Sequence, residues 1–255
     1  MKKIHCNSYG VPFRVDLANE SLLPSLADLL PFGTKIGSDP HPDAQAFAIS
    51  SAVPSEQFAR EIMIHVANFA PDRVFVHAGV VGWRNRALLL PGPSFAGKST
   101  LTAALVRAGA TYYSDEYAVI DEAGWIHPYP RDLQMREPGN HAQTALPASS
   151  LCGAVGVAPL RAAQVVFARY KCGAFWSPQP LTHGMALLEM LRHSIPVQRT
   201  PARVMSTLSR MLDGATAWTS DRDDAADTAQ HLLSALEEQL FPATPPPQPV
   251  GAQQP

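Results

Sequence analysis

The chain has 255 residues, of which 46% are hydrophobic and 16% charged, with a formal net charge of −2 and three cysteines. That composition supports a buried core and excludes overall disorder, a globally basic nucleic-acid-binding surface and a disulfide framework. Cys6, Cys152 and Cys172 are too far apart to give the closely paired ligands of a structural zinc site, and they read as reduced thiols. No run approaches the roughly 18 apolar residues of a membrane span. The start, Met1 to Ser8, turns polar without the apolar centre of a signal peptide. The expectation is a cytoplasmic protein with neither membrane nor nucleic acid as partner.

Residues 1–70 read as a small α/β layer. Val11–Leu17 alternates like a strand, and Ala44–Ile49 is a weaker strand candidate because alanine suits a helix equally. Leu22–Leu30 reads as a short helix. Ser55–Phe69 reads as a longer one, with Phe58, Ile62, Ile64, His65 and Phe69 in a rough stripe after a Pro54-Ser55 start signal.

Residues 71–241 change character. Val74–Val81 is β-rich, Arg84-Asn85-Arg86 is a polar turn, and Ala87–Leu90 is a short apolar run that fits a strand buried on both faces. A glycine-rich turn follows, then a helix over Ser99–Ala108 with Gly109 as its stop. Tyr112-Tyr113 and Tyr117–Ile120 flank an acidic pair. Gln164–Tyr170 reads as a strand, and Leu181–Arg192, Pro201–Leu212 and Asp223–Leu240 as helices, with a short strand at Ala215–Trp218. Residues 242–255 hold six of the 24 prolines and no charged side chain, which reads as a disordered, partly polyproline II tail.

The residues Gly92-Pro93-Ser94-Phe95-Ala96-Gly97-Lys98-Ser99 match the G-x-x-x-x-G-K-[ST] pattern of a P-loop, or Walker A motif, between a buried strand and an amphipathic helix. Such a loop wraps a polyphosphate with backbone N–H groups, and the helix adds its positive dipole end. Lys98 reaches the β- and γ-phosphates, and the Ser99 hydroxyl ligates Mg²⁺. The adjacent carboxylates in Ser114-Asp115-Glu116 follow the helix by one short strand. One can hold Mg²⁺ and the other can accept a proton from an attacking hydroxyl. His77 stands in a strand one hairpin before the loop, where a lone histidine is more often a core or surface residue than a catalytic one. Arg131 and Arg136 are cationic candidates for charge developing on a transferred phosphoryl group. Arg192, His193 and Arg199 suit the end of a helix, where cations are favoured. Trp83, Trp125, Trp176 and Trp218 are not spaced as a stacking platform.

Three stretches together, His77-Ala-Gly-Val-Val, Leu88-Leu-Leu-Pro-Gly-Pro-Ser-Phe-Ala-Gly-Lys-Ser-Thr and Gly109-Ala-Thr-Tyr-Tyr-Ser-Asp-Glu, resemble the catalytic domain of the HPr kinase/phosphorylase family. They are most similar to its shorter members associated with peptide-tailoring gene clusters. Lys98 lies 21 positions after His77, and Asp115 lies 17 after Lys98, in keeping with the family pattern. The resemblance is concentrated in residues 75–120 and diffuse over 165–240. It implies an α/β P-loop fold related to phosphoenolpyruvate carboxykinase, and ATP-dependent phosphorylation of a serine hydroxyl.

Carried onto this chain, the resemblance implies that Gly92 to Thr100 cradle ATP, with Lys98 and Ser99 on the phosphates and Mg²⁺. Asp115 would be the general base and Glu116 would help to hold Mg²⁺, with those two roles open to exchange. His77 would line the phosphate pocket. Phe95 stands where the family loop has glycine, and Thr100 where the bifunctional enzymes have glutamate. Arg131-Asp-Leu-Gln-Met-Arg-Glu137 replaces the Glu-x-Arg-Gly-Leu-Gly run associated with dephosphorylation. These departures argue against phosphorylase activity and against HPr as substrate. The expectation is a Mg-ATP-dependent kinase acting on a serine-bearing peptide or small protein, such as a ribosomally made peptide precursor. The alternatives are a nucleotide-binding regulatory module without phosphotransfer, or a kinase for a small hydroxylated metabolite. Family relatives assemble as homo-oligomers, and the resemblance extends that expectation to this chain.

Overall fold

β1 (Lys2–Ser8) and β2 (Val11–Leu17) form an antiparallel hairpin with Lys2 opposite Leu17 and Ser8 opposite Val11. Its two turn residues, Tyr9 and Gly10, have φ of 48° and 80°, the sign that matches the twist of paired strands. The structure, a computed structural model, describes residues 2–19, 23–49, 55–136, 143–151 and 153–241. The expected tail at 242–255, Cys152 and the side chain of Arg136 lie outside the described residues.

Alternation in β2 buries Phe13, Val15 and Leu17 on one face. β3 (Lys35–Ile36) pairs with β1, and β4 (Gln45–Ile49) runs parallel to β2, giving a four-stranded sheet in the order β3-β1-β2-β4. Two helices pack on it. α1 (Leu23–Leu29) is short, and α2 (Ser55–Phe69), with the bounds its periodicity predicts, buries Phe58, Ile62, Met63 and Val66.

β5 (Arg73–Trp83) and β6 (Arg86–Pro91) form the next hairpin, turning at Arg84-Asn85. Then come α3 (Lys98–Arg107), β7 (Thr111–Ser114), β8 (Tyr117–Asp121) and β9 (Ile126–His127). β10 (Leu133–Arg136) and β11 (Gln143–Leu146) make a separate antiparallel pair that the sequence pattern does not announce. β12 (Arg161–Tyr170), β13 (Gln179–Pro180), α4 (His183–Arg192), α5 (Pro201–Leu212), β14 (Thr216–Arg222) and α6 (Ala225–Leu240) complete the chain.

The large sheet has eight strands in the order β13-β14-β12-β6-β5-β8-β9, with β7 also on β5. β6, β12 and β14 are parallel, whereas β5 is antiparallel to β6, β7 and β8. Both faces are covered. Ala87 and Leu89 pack with α4 and α5, while Leu88 and Leu90 pack with α3 and α6. Hence the continuous apolar run in β6 rather than an alternation. Gly79 lacks the Cβ that would collide with the Thr102 hydroxyl, which lets α3 lie down on β5. The architecture is mixed α/β, with several sheets and six α-helices among the described residues. The small sheet and the large one share a core: Phe75, Tyr117, Val119 and Tyr129 join Phe13, Val15, Phe58 and Ile62.

Several bounds differ from expectation for local reasons. α4 begins at His183 rather than Leu181 because Thr182 caps it, its Oγ1 accepting from the Met185 N–H at 3.3 Å. α6 begins at Ala225 rather than Asp223 because Asp224 accepts from the Asp227 N–H at 2.8 Å. β14 runs past Trp218 to Arg222 because β12 continues beside it, Tyr170 opposite Arg222. Among the described residues no helix is long and apolar enough to cross a membrane.

Candidate functional site

The loop 92–97 lies at the carboxyl end of β6, the end at which open α/β sheets bind ligands. Two neighbours anchor it. The Gly92 N–H donates to the His77 carbonyl at 3.3 Å, and the Ala96 carbonyl accepts from the Tyr170 N–H at 3.2 Å. Pro93, Ser94 and Phe95 form its exposed crest. Gly97 turns the chain into α3 at φ 80°, ψ 20°, and any side chain there would collide with the Arg222 guanidinium. No side chain caps the first turn of α3, so orphan N–H groups and the positive dipole end mark that terminus.

Lys98, the first residue of α3, is buried, and its ammonium donates to the Pro93 carbonyl at 2.8 Å. Ser99 follows at the helix start, half-buried, and Thr100 is exposed. Phe95 has φ 69°, the left-handed region that glycine occupies without cost, and its ring is 72% exposed. The turn thus has a glycine-like conformation with a strained residue at its crest.

The acidic pair sits at the corner between β7 and β8. The Ser114 hydroxyl accepts from the N–H groups of Glu116 at 3.2 Å and Tyr117 at 3.0 Å, a local turn that fixes the corner. Asp115 is buried. Its Oδ2 accepts from the Gln134 N–H at 3.1 Å, and its Oδ1 is buried with no hydrogen-bond partner among the described residues. Burial pushes its carboxyl up, opposed in part by the Gln134 N–H, the Ser99 side chain and the Lys98 charge. Burial also pushes Glu116 up, while Arg131 pulls it down and Asp115 reinforces the rise.

His77 lies opposite Tyr117 where β5 meets β8, and its backbone N–H donates to the His193 carbonyl at 2.8 Å. Burial first, then the charges of Lys98, His193 and Arg60, push its imidazole down to about 4. Burial and Lys98 lower His193 as well. Both rings are therefore neutral hydrogen-bonding groups near neutral pH.

The structure thus brings His77, Asp115 and Glu116 each within electrostatic reach of Lys98, at the amino terminus of α3. Among the described residues no three His, Cys, Asp or Glu side chains cluster as a metal-ligand set. Mg²⁺ bound together with phosphate oxygens needs only one or two protein ligands. The unpartnered Oδ1 of a buried Asp115, with Ser99 acting on the same carboxylate, fits that demand.

Other candidates are placed elsewhere. Arg131 donates to the Asp28 carbonyl at 2.6 Å and reaches the pair only through its charge on Glu116. Arg192 pairs with Glu189 at 3.3 Å, and Arg199 lies 3.9 Å over the Phe69 ring. Trp83 donates to Glu237 at 2.7 Å, and Trp125 lies under Arg161. Sequence reasoning missed Gln134, Arg222 and the place of His193. Only pairing across the fold reveals them, although the run of four charged residues at the end of β14, Asp221-Arg222-Asp223-Asp224, is a weak signal for Arg222. A scan against protein-family models finds no match, and a search of the curated proteins finds no matching relative.

Proposed function

We propose that the region around residues 92–116 is a P-loop nucleotide site of the HPr-kinase-like type. In this reading the chain is a Mg-ATP-dependent kinase for a serine-type hydroxyl on a peptide or small protein. The observation that carries it is the meeting of an uncapped helix start bearing Lys98 with a buried, half-satisfied Asp115.

In this reading the loop N–H groups and Lys98, freed from the Pro93 carbonyl, hold the β- and γ-phosphates. Mg²⁺, when bound through Ser99 and the acidic pair, neutralises charge on the transferred group. Asp115 accepts the acceptor's proton, and its raised pKa makes it a stronger base than an exposed aspartate. The acceptor oxygen forms its bond to the γ-phosphorus as the bond to the β-phosphate bridge oxygen breaks, and ADP leaves. Neutral His77 can donate one hydrogen bond to a phosphate oxygen without adding a charge. The chain's work is mostly positioning and charge stabilisation.

The test is incubation of the full chain with Mg-ATP and, separately, serine-containing peptides and free serine, read by mass spectrometry. Phosphate gained by a peptide, and lost in Lys98→Ala and Asp115→Asn, supports the reading. Transfer to free serine alone moves it to a small-molecule kinase. Tight nucleotide binding with no transfer, unchanged by Asp115→Asn, makes the site a regulatory module, the reading that the strained Phe95 favours.

A further inference from the structure

At the other end of the large sheet, three arginines line a pocket of about 630 Å³. Arg86 is the first residue of β6, and the loop 92–97 follows the last. Six strand residues separate the two places by about 20 Å. The pocket is therefore distinct from the loop.

Arg86 and Arg161 begin adjacent parallel strands and are directly paired in register. Strand neighbours lie about 4.8 Å apart. Like charges so placed repel. Arg210, from α5, lines the same pocket. None of the three forms an ion pair with a carboxylate among the described residues. The one acidic residue lining the pocket is Asp213, which leaves three cations against one anion.

Two of the arginines are held in place by neutral groups. Arg210 Nη1 donates to the Glu122 carbonyl at 2.7 Å, and Arg161 Nη1 donates to the Ala123 carbonyl. The Arg161 guanidinium lies over the Trp125 ring at 4.3 Å. Each guanidinium has five N–H donors, so one bond to a carbonyl leaves most of them for an outside acceptor. The Arg86 side chain has no hydrogen-bond partner among the described residues and is exposed. Gln239, tied to Thr216 at 3.0 Å and to the Ala163 carbonyl at 3.1 Å, stiffens the wall.

We propose that this pocket is a second anion site, for a small phosphate-bearing dianion held by Arg86, Arg161 and Arg210. Forked guanidinium donors match the tetrahedral oxygens of a phosphate, and a dianion relieves the repulsion between the paired strand starts. The site does not depend on the function of the loop.

The test is calorimetric titration of the full chain with inorganic phosphate, in a Lys98→Ala background that disables the loop, and in wild type. Binding that persists in Lys98→Ala and weakens about tenfold on adding Arg86→Gln, and again on adding Arg210→Gln, supports the site. The Arg86 side chain makes no internal bond among the described residues, so Arg86→Gln should keep the native near-ultraviolet circular dichroism. Should Lys98→Ala fail to fold, the wild-type comparison with Arg86→Gln answers the same question, because the loop is identical in both. No heat at millimolar phosphate, binding indifferent to Arg86→Gln and Arg210→Gln, or equal binding of citrate would overturn the proposal.

Discussion

Arg222 Nη2 donates to the Gly97 carbonyl at 2.6 Å, joining the last residue of β14 to the residue just before α3. Arg222 is 2% exposed, its Nη1 donates to the Asp223 carbonyl at 2.9 Å, and its Nε is buried without a partner among the described residues. Burial lowers its pKa, yet an arginine stays charged. A fixed cation thus stands directly behind the loop. Arg222→Met should weaken binding of a non-hydrolysable ATP analogue about tenfold, and Arg222→Lys should restore part of the loss. Gly97→Ala, which meets both the left-handed φ and this guanidinium, should cost about 2 kcal/mol or more in urea unfolding.

Phe95 carries the opposite lesson. Replacing it by glycine removes the strain of φ 69° and adds freedom to the unfolded chain. The net stabilisation should be about 0.5–1 kcal/mol, read as a rise of a few degrees in Tm. A fall in Tm would mean that the exposed ring makes contacts worth more than the strain.

Acid should act on His77 in a defined window. The folded imidazole sits at about 4, below its ordinary value of 6.5, so the unfolded chain binds this proton first as pH falls. The contribution of His77 is present above pH 6.5 and is lost toward pH 4, by about 3 kcal/mol in total. Asp115 and Glu116, both raised, have the opposite sign, because the fold holds protons that the unfolded chain has released. His77→Gln isolates the histidine. The stability difference between wild type and variant should swing toward the variant between pH 7 and pH 4, and a flat difference would contradict the assignment.

Phe75 lies wholly buried where the two sheets meet, edge-on to Tyr9 at 5.2 Å and Tyr117 at 6.3 Å. Phe75→Ala should cost about 3–5 kcal/mol. Because the core around it is shared, urea should unfold the variant in one transition, seen alike by fluorescence and circular dichroism. Two separate transitions would show that residues 2–69 unfold independently.

Where structure follows from a repeating local pattern, the sequence is legible. β2, α2 and α5 have the expected bounds, because alternation or a helical stripe runs their full length. The loop 92–97 is legible because its two glycines and Lys98 fall within seven consecutive residues. β1 is not, because its buried positions are Ile4, Cys6 and Ser8, only one of them a strong strand former. The Arg222–Gly97 bond spans 125 positions and the Gln134–Asp115 bond 19, so nothing local announces them. His193 reaches His77 through backbone pairing beside the Val76–Ser194 bridge, which no side-chain pattern encodes.

The two end strands of the large sheet are both two residues long, β13 at one margin, containing Pro180, and β9 at the other, while the four-residue branch strand β7 is met on its outer side by the Tyr112–Val155 bridge. A margin so short offers few free N–H and C=O groups to another chain, and proline removes one donor outright. The ten-residue β12 is enclosed between β6 and β14. Growth of this sheet by strand addition is thereby blunted at both ends, which guards a β-rich chain against aggregation at high concentration. In the small sheet, five-residue β4 is the longer of the two margins. Association through backbone pairing has its best opening there, and self-assembly elsewhere must rely on side-chain faces.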